Sequence, residues 1–253
     1  MTFSCDLSGE VALVTGATSG LGRRFGAVLA EAGAAVAITG RRTEMLETLQ
    51  QEIEAKGGRA LPIHLDVTDL DSIKNAIDKT EQELGPVNVL VNNAGAYSEK
   101  MARSFGEAEF DTIVATNIKG AFFMAQEVAN RMIERKDKGR IINLSSVSAL
   151  RPVQGMSVYG MTKAAEIQMT KSLALEWARY GIRINAICPG FIDSEMTGDY
   201  FRTDQGKAHM NTLPRKRIGQ PENLDGLLLM LASRDGSAFM TGSVIKADDA
   251  QIL

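Results

Sequence analysis

Apolar residues along the chain follow two rhythms. Short runs at 11–14, 35–38, 61–65, 87–91, 140–144, 182–187 and 243–246 are β-branched or alanine-rich and mostly apolar throughout. Longer amphipathic stretches near 20–32, 43–56, 69–84, 107–135, 157–180 and 221–232 lie between them and carry a helical repeat. Strands of four to six residues separated by helices of ten or more predict βαβ crossovers and hence a parallel sheet. Strands without polar alternation are what a sheet needs when helices cover both faces. The expected fold class is therefore α/β, a doubly wound parallel sheet of about seven strands. Thr43, Asp69 and Pro221 mark helix starts, and Gly33, Gly57-Gly58, Gly85-Pro86 and Gly181 mark stops. No repeat, low-complexity tract or linker divides the chain, so residues 1–253 are read as a single domain. Only residues 190–220 break the alternation, which predicts a substrate loop or lid at about 190–215.

Composition narrows the class of function. The 253 residues carry 28 basic and 31 acidic side chains, a net charge of -3, which argues against a nucleic-acid binder working through a basic face. The basic residues of Glu134-Arg135-Lys136-Asp137-Lys138 are interleaved with acids and read as a solvated helix end. Two cysteines, Cys5 and Cys188, exclude a disulfide framework and suit a reducing cytoplasm. His64 and His209 stand far apart without the spacing of a zinc site, so no metal is expected. No run of 18 apolar residues predicts a membrane span. Met1-Thr2-Phe3-Ser4-Cys5-Asp6 lacks the basic start and apolar run of a signal peptide. A soluble cytoplasmic protein is expected, and its 24 glycines point to the chemistry.

The first strand runs into Thr15-Gly16-Ala17-Thr18-Ser19-Gly20-Leu21-Gly22 and then a helix. Glycines at 16, 20 and 22 allow a tight turn and a close approach that a Cβ would block. The helix start offers unpaired N–H groups and a positive dipole end to a pyrophosphate. An ordinary glycine-rich turn entering a helix is the plainer alternative. The second strand supplies the next test, because folds that prefer NAD usually end it with an acid that binds the ribose 2′-hydroxyl. Here Gly40 and then Arg41-Arg42 stand at that place, and two guanidinium groups suit a 2′-phosphate. NADP is therefore favoured, with NAD as the alternative if both arginines merely face solvent.

Tyr159 and Lys163, four residues apart on one helix, share a face. A phenol titrating near pH 10 needs its anion stabilised to act at neutral pH, and a neighbouring ammonium does so. Ser146 follows the strand 140–144 and precedes Tyr159 by thirteen residues. Asn92-Asn93-Ala94-Gly95 follows the fourth strand at the carboxyl edge of the sheet, where ligands bind. Asn117 interrupts an amphipathic helix as a mediocre helix former. Singly, these read as a cap, a turn and a solvent-facing amide; the set, in this order on a βα repeat, does not.

On those residues the chain resembles the short-chain dehydrogenase/reductase family over nearly its whole length. The resemblance rests on Thr15-Gly16-x-x-x-Gly20-x-Gly22, Asn92-Asn93-Ala94-Gly95 and the tetrad Asn117, Ser146, Tyr159 and Lys163. It implies a Rossmann-type sheet of strand order 3-2-1-4-5-6-7, assembly as a homo-oligomer (tetramer or dimer), and a small-molecule alcohol or carbonyl substrate. It also implies cofactor contacts from Gly16, Thr18, Ser19, Gly20, Leu21, Gly22, Asn93, Ala94 and Gly95. Asp66 and Val67 would meet the adenine, and Pro189, Gly190, Ile192 and Ser194 the nicotinamide end. By the same resemblance Ser146 binds the substrate carbonyl, Tyr159 moves its proton, Lys163 holds the ribose, and Asn117 holds a relay water. A general likeness to the 3-oxoacyl-carrier-protein reductase branch leaves that substrate class open.

Tyr97, Met101, Leu150, Val153, Met156, Phe191, Met196, Tyr200, Phe201 and Met210 fall on three stretches expected to border the nicotinamide end. Of these, Tyr97, Leu150, Met156 and Met196 are the expected substrate contacts beside Ser146 and Tyr159. Such a lining suits a medium-sized apolar ketone, aldehyde or alcohol better than a free sugar. Arg151, Arg202 and Lys207 offer an acid or acyl carrier a contact, or simply lie on the surface. The family's usual Val-Asp-Gly-Gly ending is replaced by Ala247-Asp248-Asp249-Ala250, which weakens the oligomer expectation. Asp248-Asp249 is read as a solvated or interface acid pair rather than a metal site. A nucleotide-sensing protein without turnover is the alternative of a different class.

Overall fold

In the computed structural model, which describes residues 5–253, seven parallel strands form one sheet in the order β3-β2-β1-β4-β5-β6-β7. They are β1 (Val11–Val14), β2 (Ala35–Gly40), β3 (Arg59–His64), β4 (Val89–Asn92), β5 (Arg140–Leu144), β6 (Arg183–Pro189) and β7 (Val244–Ala247). The leader reading rests in part on residues 1–4, which lie outside the described residues. Each expected strand is present, with ends shifted by at most two residues. Along each strand, side chains alternate between the faces. Ala12, Val14, Ile38, Val91 and Leu144 join one buried cluster with Phe25, Leu49 and Leu228. Val11, Leu13, Leu90, Ile141 and Ile184 join a second with Ile77, Met124 and Trp177. That division is why the strands lack polar alternation: both faces carry helices.

The helices are α1 (Gly20–Glu31), α2 (Thr43–Ala55), α3 (Leu70–Glu83), α4 (Glu107–Val114), α5 (Ala121–Arg135), α6 (Ser157–Trp177), α7 (Gly198–Arg202), α8 (Asp204–Thr212) and α9 (Asp225–Ala232). Asp69 caps α3, accepting from the Asp71 N–H at 2.9 Å. The stretch expected to be one helix over 107–135 is instead two helices joined by a π-helical segment, Ala115–Gly120, that holds Asn117. Its last residue must be small: a Cβ on Gly120 would sit 2.8 Å from the Val67 carbonyl oxygen. Such π segments leave backbone and side chains out of the α register and concentrate at functional sites.

The solvated helix end expected at Glu134–Lys138 is partly tied down. Arg135 bridges Glu81 at 2.6 Å and Asp137 at 2.9 Å. A buried pair closes the amino edge of the sheet, where Arg140 meets Glu10 at 2.6 Å with both side chains at most 5% exposed. The expected loop at 190–215 contains α7 and α8, held by mutual edge contacts of Phe191, Tyr200, Phe201 and His209. At the C-terminus Asp249 pairs with Arg215 at 2.8 Å and Arg217 at 2.6 Å. Asp248 is buried and accepts from the Ile252 N–H at 3.0 Å. The two acids are therefore intrachain ties rather than a solvated pair, and no metal-binding cluster occurs among the described residues.

Candidate active site

The strand order reverses between β1 and β4, which puts a crevice at their carboxyl ends. Two loops meet there and are bonded to each other. Thr15 Oγ1 accepts from the N–H groups of Asn93 at 3.0 Å and Ala94 at 2.9 Å. The Asn93 amide donates back to the carbonyls of Thr15 at 2.9 Å and Gly16 at 3.2 Å. This contact explains two of the glycines differently from a ligand's approach. A Cβ on Gly16 would lie 2.9 Å from Ala94 Cα, and one on Gly22 2.2 Å from the Gly16 oxygen. Gly16 and Gly22 are small because the protein packs against them.

The resulting cavity, about 360 Å³, is lined by every residue of the expected turn from Gly16 to Gly22 except Ala17. Arg41, Arg42, Asp66, Val67, Asn93, Ala94 and Gly95 line it too, and Tyr159, Lys163 and Ser194 stand at its inner end. The residues fit a dinucleotide. At the start of α1 the Ser19 side chain caps no N–H, and no acid lies in the first turn. These N–H groups and the helix dipole are thus free for an anion. Beyond Gly40 the Arg42 guanidinium donates to Thr18 Oγ1 at 2.9 Å, Ser19 Oγ at 3.0 Å and Glu195 Oε2 at 3.3 Å. Hydroxyls and guanidinium thus converge where a ribose phosphate would lie. Asp66, held below the usual carboxylate range by hydrogen bonds from Thr68, lines the same cavity.

At the inner end Lys163, buried on α6, points its ammonium at the Leu144 carbonyl, 2.7 Å away, and stands 5.7 Å from the centre of the Tyr159 ring. Burial pushes the Tyr159 phenol up, while Lys163 and the Ser146 hydroxyl pull it back. Ser146 Oγ accepts from the Ser148 N–H at 3.1 Å and from the Ser148 hydroxyl at 2.9 Å. Its acceptor sites are occupied, so its own proton is left to donate. Asn117, fully buried, spends its side chain on structure. Its Oδ1 accepts from the Ala96 N–H at 2.7 Å, and its Nδ2 donates to the Ala96 carbonyl at 3.0 Å and Thr162 Oγ1 at 2.9 Å. Both amide donors are committed, so Asn117 pins the strand-end loop to α6.

A second cavity adjoins the first, with Tyr159, Ser194 and Met196 in the walls of both. Tyr97, Val153, Met156, Phe191 and Ile192 line it, with Ser146, Pro189 and Gly190 at its base. Tyr97 meets Tyr159 edge-on, ring centres 5.4 Å apart. Pro189, Gly190 and Ile192, expected at the nicotinamide end, line this second cavity where it adjoins the first. Leu150 and Met101, both about half exposed, line neither, nor do Tyr200, Phe201 and Met210, the first two of which pack against each other within the lid. Arg151, Arg202 and Lys207 also stand outside both; Arg202 faces Asp199 at 3.5 Å and Lys207 faces Asp204 at 3.8 Å.

Residues 10–205 match the short chain dehydrogenase family. The chain belongs to that family. It is 36% identical over 243 residues to gluconate 5-dehydrogenase of Gluconobacter oxydans, covering 96% of this chain and 94% of that one. It is 37% identical over 247 residues to the 3-oxoacyl-(acyl-carrier-protein) reductase FabG of Thermotoga maritima, covering 98% and 99%. A short-chain type dehydrogenase/reductase from Mycobacterium marinum superposes with a TM-score of 0.92 at 38% identity, covering 98% of each chain. A 3-oxoacyl (acyl-carrier-protein) reductase from Agrobacterium tumefaciens, solved with NADP bound, superposes at 0.91 with 30% identity, covering 98% and 96%. As a short-chain dehydrogenase the protein is an oxidoreductase acting on CH–OH or C=O groups.

Thr15, named in the sequence only as the start of the turn, joins the two loops, and three residues that sequence reasoning passed over also shape this site. Glu195 holds Arg42. Gln251 accepts from the Phe191 N–H at 2.7 Å, so the C-terminal turn supports the wall of the second cavity. Glu166, 3% exposed, ion-pairs with Lys163 at 2.8 Å. Its signal was present: an acid three positions after Lys163 shares the face that carries the catalytic pair.

Proposed function

We propose that this short-chain dehydrogenase interconverts a medium-sized apolar ketone or aldehyde and its alcohol, using NADP(H) in preference to NAD(H). The observation that carries the reading is the Ser146–Tyr159 pair on the apolar second cavity, with Tyr159 also in the wall of the turn-lined first. A substrate in the second cavity would set its carbonyl oxygen against the Ser146 hydroxyl, whose proton is free, and the Tyr159 phenol. Ser146 stabilises the charge that develops on that oxygen. Tyr159 delivers its proton to the oxygen in reduction and removes it in oxidation. Lys163 lowers the cost of the phenolate, and Asn117 keeps α6 and the loop of Gly95–Ala96 in register. When bound, the dinucleotide supplies or accepts the hydride. Arg41, Arg42, Thr18 and Ser19 would hold its 2′-phosphate, and the α1 start its pyrophosphate.

The substrate preference rests on the lining. Among the described residues no Lys or Arg lines the second cavity, so a sugar acid would find no cation for its carboxylate. An acyl chain beside a 3-oxo group suits the same walls. We further propose that residues 1–253 act as one catalytic unit that forms homo-oligomers in the cytoplasm. The reduced thiols of Cys5 and Cys188 support the compartment, and light scattering of the purified protein tests the assembly. The deciding experiment is a panel of apolar ketones, 3-oxoacyl thioesters and sugar acids assayed with NADPH and NADH. Turnover of apolar ketones with NADPH, abolished in Tyr159→Phe, supports the reading. Turnover of sugar acids alone refutes the substrate class, and an active Tyr159→Phe refutes the acid/base role.

A further inference from the structure

Lys163 has three N–H donors and has placed all of them. One meets the Leu144 carbonyl at 2.7 Å, and the carboxylate of Glu166 takes the others at 2.8 and 3.0 Å. The two side chains are 5% and 4% exposed, so water screens neither charge. The ammonium that is to favour the Tyr159 phenolate is therefore matched, one helical turn on, by an opposite charge in the same dry interior. We propose that Glu166 is a positioning residue of the catalytic site: clamped on Lys163, it sets how much of the lysine's positive charge the Tyr159 phenol feels, and so keeps Tyr159 in the proton-donating form to higher pH. The proposal rests on the acid/base role given above to Tyr159.

The direction follows from the charges. With Glu166 anionic, the Lys163–Glu166 unit is nearly neutral, and the phenol, buried and facing an acid, resists ionisation. With Glu166 neutral, the Lys163 charge acts undivided and the phenolate forms more readily. Burial pushes the Glu166 carboxyl up, against the pull of Lys163. Wherever Glu166 is ionised, Tyr159 is held as the phenol, the form that donates in reduction.

The other charged and titratable neighbours do not reverse this. Cys188 on β6 is pushed up by burial and stays a thiol. Tyr97, on the loop after β4, is pushed up by burial and by Glu99, and stays a phenol. Lys119, on the π segment, lines the outer groove with Glu166 but directs its ammonium to the Thr68 carbonyl at 3.4 Å. Asn117 and Thr170, also close, carry no charge.

The test reads Tyr159 directly in the coenzyme-free protein. Phenolate absorbance is titrated in wild type, Glu166→Gln, Tyr159→Phe and the double variant, and the Tyr159 component is taken by difference. Removing the acid should move that component down by about one pH unit, and the pH limb of alcohol oxidation with NADP, read on 1-phenylethanol or the best alcohol of the panel, should move with it. Coincident titrations of wild type and Glu166→Gln, with Tyr159→Phe inactive, overturn the proposal and leave the acid/base role standing. An active Tyr159→Phe overturns that role instead, while the absorbance titration still decides what Glu166 does to the phenol. Should Glu166→Gln not fold, Glu166→Met, which removes the charge at similar volume, is titrated in the same way. A Tyr159 component below that of wild type supports the proposal, and one coincident with wild type overturns it.

Discussion

Replacing Arg42 by alanine separates the two cofactor readings. Arg42 sits at the end of β2 with its guanidinium on Thr18, Ser19 and Glu195, and its side chain is 53% exposed. A buried charged hydrogen bond contributes about 1.5–3 kcal/mol, and exposure on this scale reduces it to about 1–2 kcal/mol. NADPH should therefore bind about 5- to 30-fold more weakly to Arg42→Ala, while NADH, which lacks the 2′-phosphate, changes by less than about twofold. Glu195 competes for the same guanidinium at 3.3 Å, with its side chain 60% exposed. Breaking so exposed a pair costs at most about 1 kcal/mol. Glu195→Gln should thus tighten NADPH by no more than about fivefold and leave NADH alone. Fluorescence titration of both coenzymes at low and high salt measures each constant, and the NADPH advantage should shrink as salt rises. Equal losses of NADPH and NADH in Arg42→Ala, or a wild type that binds NADH more tightly, would refute the reasoning.

Ser146→Ala removes the one free hydroxyl proton beside Tyr159 and should lower kcat about 100-fold with coenzyme affinity unchanged, as steady-state kinetics and titration would show. Gly22→Ala drives a Cβ to 2.2 Å from the Gly16 oxygen and 2.4 Å from Asn93 Nδ2. It should abolish coenzyme binding in the same titration, whereas binding at wild-type strength would mean that the turn yields easily. Glu10→Gln leaves Arg140, 4% exposed, without its acid at the opposite edge of the sheet. Urea unfolding should show a loss of about 3–5 kcal/mol, with turnover per folded molecule intact.

The fold was legible because its two signals are local. Uniformly apolar runs of strand length and long amphipathic stretches repeat in strict alternation, and a sheet with helices on both faces is the arrangement that buries both. The helix at 107–135 was the place where the pattern misled. A hydrophobic repeat survives a π segment, because six residues out of register barely disturb the apolar stripe of the two flanking helices. At the end of that segment Gly120 is pressed against Val67, a contact between segments far apart in sequence that no local pattern reports. In the lid, Tyr200 and Phe201 look like pocket residues in sequence; here they pack against one another and against His209, partners that hydrophobic pattern alone does not reveal.

The site divides along the same line. Residues carried by a turn or a fixed spacing, such as Gly20, Ser146, Tyr159 and Lys163, could be found from their neighbours in the chain. Residues whose role is to hold another side chain carry no motif of their own. Glu166 is the sharpest case. On α6 it falls among Val158, Tyr159, Thr162, Lys163, Ile167 and Thr170, all buried, while Gln168, Lys171 and Glu176 lie exposed, so in sequence it reads as one more surface charge. An ordinary surface helix exposes its acids, and a fully buried one admits them only in pairs. Reading Lys163 as charged and buried therefore already required a partner within reach, and the only acid on its face of the helix stood three residues on. Where function forces a charge into a core, the compensating charge is part of the same design. The partner should be sought by that requirement, because hydrophobic periodicity will not reveal it.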